Sequence, residues 1–174
     1  MNEALNNLLT RRACRKYSPE QIADDKLDAI LEAGMYAPTG MGKQTPLIVV
    51  LQDPEVIKKV EKMNAEVMNM PEATPFYGAP TVVIVFAKTT TPFGFADAHL
   101  VIGNLMNGAN AVGVDSCYVW RAEEVFEMEA GKALKEAWGI PENYHGAGNV
   151  ILGYGLPKGK REAAPRKEGY VIRV

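Results

Sequence analysis

The sequence predicts a mixed α and β domain built on a sheet that is buried on both faces. Two observations carry this expectation. Residues 47–51 (LIVVL) and 81–87 (TVVIVFA) are continuous apolar, largely β-branched runs, and the segments around them repeat apolar residues three and four positions apart. A strand wetted on one side alternates apolar and polar residues; these runs do not, so both of their faces need cover. A third observation sets the scale: 174 residues fit one domain, expected to span 1–174, which buries about two thirds of its unfolded surface without needing disulfides.

The elements follow in order. Residues 3–13 read as a short helix with Leu5, Leu8 and Leu9 on one side, ending in arginines. Asp24 or Asp25 is the expected cap of a second helix, whose Leu27, Ile30, Leu31 and Met35 form its apolar face and which Pro38 ends. Asp53-Pro54 starts a third helix running to about Asn69, with proline at its first position. From Ala96 to Val112 the chain is helical and apolar nearly all round, the mark of a central helix, and Gly113 stops it. SCYV at 116–119 and NVILGY at 149–154 add two strands, with helix from about Glu123 to Trp138 between them. YVIRV at 170–174 reads as an edge strand, in this chain or in another subunit. Periodicity alone leaves the topology open.

Composition narrows the function classes. Net charge is -2, against the strongly basic balance usual in nucleic-acid binders. The first residues, MNEALNNLLT, show no basic region followed by an apolar stretch, and no later run reaches the length of a membrane span, so a soluble cytoplasmic protein is expected. Cys14 and Cys117 form no C-x-x-C pair, and His99 and His145 are too few for an ordinary histidine metal site, so no metal is expected. The cations are local: Arg11, Arg12, Arg15 and Lys16 near the start, and Lys158, Lys160, Arg161, Arg166 and Lys167 near the end, make nine of the 19 Lys and Arg. Two basic ends meeting at one small dianion would explain this, as would ordinary solvated charge. No Ser-His-Asp set, G-x-S-x-G or phosphate loop can be assembled.

YAPTGMGKQTP at 36–46 is a loop whose backbone amides can face a ligand, with Thr39 and Gln44 as polar handles. Along the chain come a basic cluster, this A-P-[ST] loop, a central apolar helix, a G-V-D-S-C strand, a G-Y-G-x-P turn and a terminal R-K. In this order and over nearly its whole length the chain resembles the nitroreductase family of flavin mononucleotide (FMN) enzymes. The family's opening R-R-S-x-R-x-[FY] is matched by Arg11, Arg12, Arg15 and Tyr17, with Ala13 in place of serine. Its A-P-S-x-x-N-x-Q-P loop is matched by Ala37, Pro38, Thr39 and Gln44, with Gly42 where asparagine is usual and Thr45 before the proline. NLMNGANAVGVDSCYV is similar to the family's central helix and following strand, with Gly113, Ser116 and Cys117 in matching places.

The resemblance implies an α+β, three-layer fold with a mixed or antiparallel central sheet flanked by helices, and a long central helix at a homodimer interface. It implies an NAD(P)H-dependent FMN oxidoreductase that passes hydride through flavin N5 to an electron-poor acceptor, a nitroaromatic or quinone, in ping-pong order. Arg11, Arg12 and Ala13 with Arg166 and Lys167 would surround the FMN phosphate, and Arg15 would face the flavin pyrimidine. Pro38, Thr39, Gly40, Gly42 and Gln44 would cover the partner subunit's flavin, and a backbone amide among Tyr118, Val119, Trp120 and Arg121 would donate to N5. Glycine is commoner there, so YVWR is a departure; Trp120 either stacks near the flavin or fills core, and Arg121 either meets a nicotinamide phosphate or stays in solvent. Residues 63–77, rich in methionine, form either a substrate entrance or a helix end packed on the core. A flavin-binding module without turnover and an anion-binding interaction protein are the other classes left open.

Overall fold

The structure, a computed structural model, describes residues 2–174. Four antiparallel strands form one sheet in the order β1-β2-β4-β3, with β1 at Leu47–Leu51, β2 at Thr81–Lys88, β3 at Asp115–Val119 and β4 at Tyr144–Gly153. The two continuous apolar runs pair directly, Leu47 opposite Phe86 through Leu51 opposite Val82. The lack of alternation has the expected cause. Val82, Ile84 and Phe86 enter one core with Ile151, while Val83, Val85 and Ala87 enter the other with Val150 and Leu152. Adjacent residues of a strand point to opposite faces, so a strand between two cores must be apolar at every position.

Helices cover both faces. One core is closed by α3 (Pro54–Val67) and α5 (Ala122–Glu127), through Ile57, Val60, Met63, Val125 and Phe126. The other is closed by α2 (Asp24–Met35) and α4 (Gly94–Ala111), through Leu27, Ile30, Val101, Ile102 and Leu105. The result is the three-layer α+β arrangement, with an antiparallel sheet. α2 and α4 approach closely because Gly108 faces Ala33, where an added Cβ would stand 2.8 Å from that methyl. A neighbouring helix thus accounts for Gly108, and it belongs to the same chain. Gly103 has nothing of this chain within 4 Å of such a Cβ.

Several boundaries differ from expectation. The first helix, α1, is Glu3–Thr10, and its cap is Asn2, whose Oδ1 accepts from Leu5 N at 2.9 Å. α2 is capped by neither aspartate: Ala23 holds the cap position without a side-chain bond, and Asp24 and Asp25 lie in the first turn, where their charge complements the helix dipole. Asp53 caps α3 as expected, its Oδ1 accepting from Glu55 N at 2.8 Å.

The helix expected over 123–138 is broken. Met128, extended at ψ 151°, separates α5 from α6 (Glu129–Ala137). β4 begins at Tyr144, not 149, because Gly146 and Gly148 pair with Phe86 and Val85 across a bulge despite their poor strand propensity. Residues 170–174 form no strand within the chain. Of 63–77, Met63 and Phe76 pack into the core, as a folded-back helix end would, while Met70 and Tyr77 stay exposed. No helix among the described residues is long and apolar enough to cross a membrane.

Candidate functional site

Residues 11–17 are stitched between β3 and the tail. Ala13 bridges Ser116 in parallel, Cys14 N donates to Ser116 O at 2.9 Å, and Arg15 N donates to Gly159 O at 2.8 Å. Tyr17 bridges Gly155, and its buried hydroxyl donates to Cys14 O at 2.9 Å. These bonds draw the two basic stretches to one place, a cleft of about 260 Å³ lined by Arg11, Arg12, Ala13, Arg15, Arg161, Glu162, Ala163, Ala164 and Arg166. Five arginines and one glutamate line it, and none of these arginines forms an ion pair among the described residues.

The arginines are not equivalent. Arg12 spends part of its fork on its own backbone, donating to Leu9 O and Arg11 O, both at 2.7 Å, and Arg166 donates to Ala164 O. Among the described residues, the Arg11 and Arg15 side chains donate to no protein acceptor. Their charge reaches inward: burial pushes the Cys117 thiol pKa up, Arg15 pulls it partly back, Cys14 adds to the rise, and Arg11 lowers it by the smallest amount. Lys167 is absent from the cleft, its ammonium lying 5.7 Å from the Tyr170 ring centroid. Arg161, which the motif match passed over, is present. The density of cations at 158–167 pointed to it; the match carried over only the last pair. Nearby, Lys160 pairs with Asp115 at 2.8 Å.

Pro38, Thr39, Gly42 and Gln44 line a second cleft of about 590 Å³ with Met35, Tyr36 and Ala37. The loop is set by local chemistry. Met41, Gly42 and Gln44 have φ of 56°, 64° and 49°, a left-handed sequence in which only the glycine is free of strain. Thr39 Oγ1 accepts from Gln44 N at 3.0 Å, and buried Asp97 of α4 accepts from Gly40 N at 2.9 Å. Gly40 is therefore tied to α4 and does not line the cleft. The two clefts share no residue.

At the end of β3, Tyr118 lies across Gly148, where an added Cβ would stand 2.4 Å from its ring, and Val119 is buried. Trp120 is 65% exposed, which overturns the core-filling alternative for its ring. Arg121 is half-buried and left-handed at φ 76°.

The chain is thus a three-layer α+β protein with an arginine-lined cleft at one sheet edge and a second cleft at the 36–44 loop. A sequence model of the nitroreductase family matches residues 8–154, and the chain belongs to that family. A protein of Archaeoglobus fulgidus, provisionally named an NADH dehydrogenase/NAD(P)H nitroreductase, is 33% identical over 93% of this chain and 90% of its own. Among solved structures, a nitroreductase with bound FMN from Bacteroides fragilis is 27% identical and superposes with a TM-score of 0.92, covering all of both chains. An FMN-dependent nitroreductase of Clostridium difficile is 26% identical, with a TM-score of 0.84 over 99% of each chain.

Proposed function

We propose that the chain is an NAD(P)H-dependent FMN oxidoreductase that works as a homodimer and reduces an electron-poor acceptor, a nitroaromatic or quinone. The observation that carries this reading is the unpaired arginine cleft. Five guanidinium groups gathered on about 260 Å³ without an ion pair repel one another unless an anion joins them, and a phosphate monoester, close to a dianion at neutral pH, matches their planar donors. The donor set fits FMN. Relatives that are FMN-bound or FMN-dependent nitroreductases, alike over the whole chain, support the same cofactor.

In this reading Arg11 and Arg12 hold the phosphate from one side and Arg161 and Arg166 from the tail. Arg15, further along a segment that runs parallel to β3, supplies positive charge beside the flavin pyrimidine. Tyr118, Val119, Trp120 and Arg121 border the ring, and the exposed indole of Trp120 is free to stack. Pro38, Thr39, Gly42 and Gln44 cover the flavin of the partner subunit, and Gly40 keeps their loop in shape through Asp97. Bound FMN supplies the redox chemistry, taking a hydride equivalent from NAD(P)H and giving it to the acceptor. The protein binds, orients and supplies charge.

Anaerobic addition of NADH or NADPH to the purified yellow protein tests the reading. Bleaching followed by recolouring with a nitroaromatic or quinone is expected. A colourless protein that takes up no FMN overturns it, and a yellow protein that neither nucleotide bleaches reduces it to a flavin-binding module.

A further inference from the structure

The turn that follows β3 is held in an unusual way. The Trp120 carbonyl oxygen receives two side-chain amides: Asn64 Nδ2 of α3 at 2.8 Å and Asn149 Nδ2 of β4 at 3.4 Å, the latter also donating to Val119 O at 3.0 Å. Both asparagines are buried, at 0% and 1% exposure. A carbonyl oxygen only accepts, so chemistry fixes which end of each amide faces it. In consequence both Oδ1 atoms are buried with no partner. An unpaired buried acceptor is destabilising, and an aliphatic residue of the same size would avoid it.

The next residue adds strain at the same point. Arg121 has φ 76°, which a residue with a side chain adopts at a cost. The Trp120–Arg121 peptide bond is trans, so the Arg121 N–H points opposite to the Trp120 carbonyl. Pinning that oxygen between α3 and β4 therefore aims the N–H away from both. No acceptor among the described residues receives it. Two orphaned acceptors, one left-handed arginine and one unused donor thus meet at a single peptide plane.

We propose that Asn64 and Asn149 are positioning residues that clamp the Trp120–Arg121 peptide and present the Arg121 N–H to the flavin ring nitrogen N5. The proposal rests on the FMN reading above, singles out one donor among four, and gives two core residues a functional part. Direction and reach agree with it. Ala13 bridges Ser116 in parallel, so the arginine segment and β3 run the same way from the cleft. At about 3.3 Å per residue, the steps from Ser116 to Arg121 cover roughly 16 Å, a span for a ligand with phosphate at one end and a tricyclic ring at the other.

Wild-type protein loaded with ¹⁵N-labelled FMN gives the first test. A scalar coupling through the hydrogen bond, between the Arg121 amide proton and labelled N5, is expected; flavin-loaded protein in which another amide carries it overturns the proposal. In Asn64→Leu and Asn149→Leu, with circular dichroism reporting a retained fold, the coupling should weaken and the flavin midpoint potential should move. Reduction by NAD(P)H should slow about tenfold, the equivalent of one ordinary hydrogen bond, while the Kd for FMN changes less because the arginines are untouched. An unchanged N5 resonance and potential in both variants overturns the clamp. Wild-type protein that binds no FMN overturns the parent reading instead, and is distinguished at the first titration.

Discussion

At the scale of single residues, the proposed site separates anchoring charge from tuning charge. The Arg11 side chain donates to no acceptor among the described residues and lines the cleft, so it is free for the phosphate. Arg11→Ala should weaken FMN binding by about 10- to 150-fold, the equivalent of roughly 1.5–3 kcal/mol for a charge-assisted bond, measured by flavin fluorescence quenching. Arg15 is exposed at the same cleft, on the side toward which β3 runs. Reduction places negative charge on the pyrimidine edge of a flavin, so a cation there binds the reduced form better, and by linkage raises the potential. Arg15→Ala should lower the midpoint potential with a smaller loss of oxidised FMN; an equal loss of both forms in a potentiometric titration would make it another phosphate ligand. Glu61 offers a test apart from the flavin. Burial raises its carboxyl pKa above the usual glutamate range, against the opposing effect of Phe76 N, which donates to Oε1 at 2.7 Å. The folded protein then holds a proton that the unfolded chain releases, so stability falls as pH rises from the unfolded pKa through the raised one. Glu61→Gln keeps the acceptor and removes the ionisation, so its stability relative to wild type should rise from pH 4 to pH 7 in urea melts. Of the arginine cleft, the sequence alone exposed the cations and their two clusters, but not which of them turn inward. The motif does not distinguish Arg12 and Lys167 from Arg11; side-chain packing bonds Arg12 to Leu9 O and sets Lys167 beside Tyr170.

At the scale of elements, the break between α5 and α6 shows where tertiary contact overrides a helical pattern. Gly131, in the first turn of α6, faces α5 so closely that an added Cβ would stand 2.0 Å from Val125 O. A continuous helix would not bring these turns together; the extended Met128 does, and α6 can then fold back to cap the core with Leu134 and Trp138. Gly131→Ala should therefore cost about 1–3 kcal/mol by overpacking, although alanine is the better helix former in isolation. A urea midpoint at or above wild type would refute this account of the break. Strands 47–51 and 81–87 were legible because a buried strand must be apolar at every position, and Asp53-Pro54 because capping is local chemistry. The start of β4 and the split at Met128 were not legible, since glycine-rich YHGAG and the apparently helical 123–138 take their conformation from neighbours distant in sequence. Sheet order was invisible for the same reason.

At the scale of the whole molecule, the single chain leaves apolar surface that its own fold does not use. Leu5, Leu8 and Leu9 of α1 are 51%, 54% and 59% exposed, and Met35, Tyr36 and Leu100 are exposed as well. α1 is tied to α4 mainly by polar bonds, Asn110 Nδ2 donating to Asn7 Oδ1 and Asn7 Nδ2 donating to Asn107 O at 2.9 Å. Its leucines thus contribute little to the core of this chain, and an amphipathic helix keeps such a face only where something else covers it. A second copy is the cover proposed here, and it would also unite the arginine cleft with the 36–44 loop, which share no residue within one chain. Each leucine buried at such an interface contributes about 1.5–3 kcal/mol, so charge introduced there acts on assembly before it acts on the fold. Leu8→Glu should shift the protein from dimer to monomer in sedimentation velocity while the far-ultraviolet spectrum stays that of wild type. Because the proposed flavin site draws on both subunits, the same variant should lose FMN as the protein is diluted, in step with dissociation. A Leu8→Glu protein that remains dimeric, or a monomeric one that binds FMN as tightly as wild type, would remove the two-subunit site and leave the arginine cleft to hold the cofactor alone.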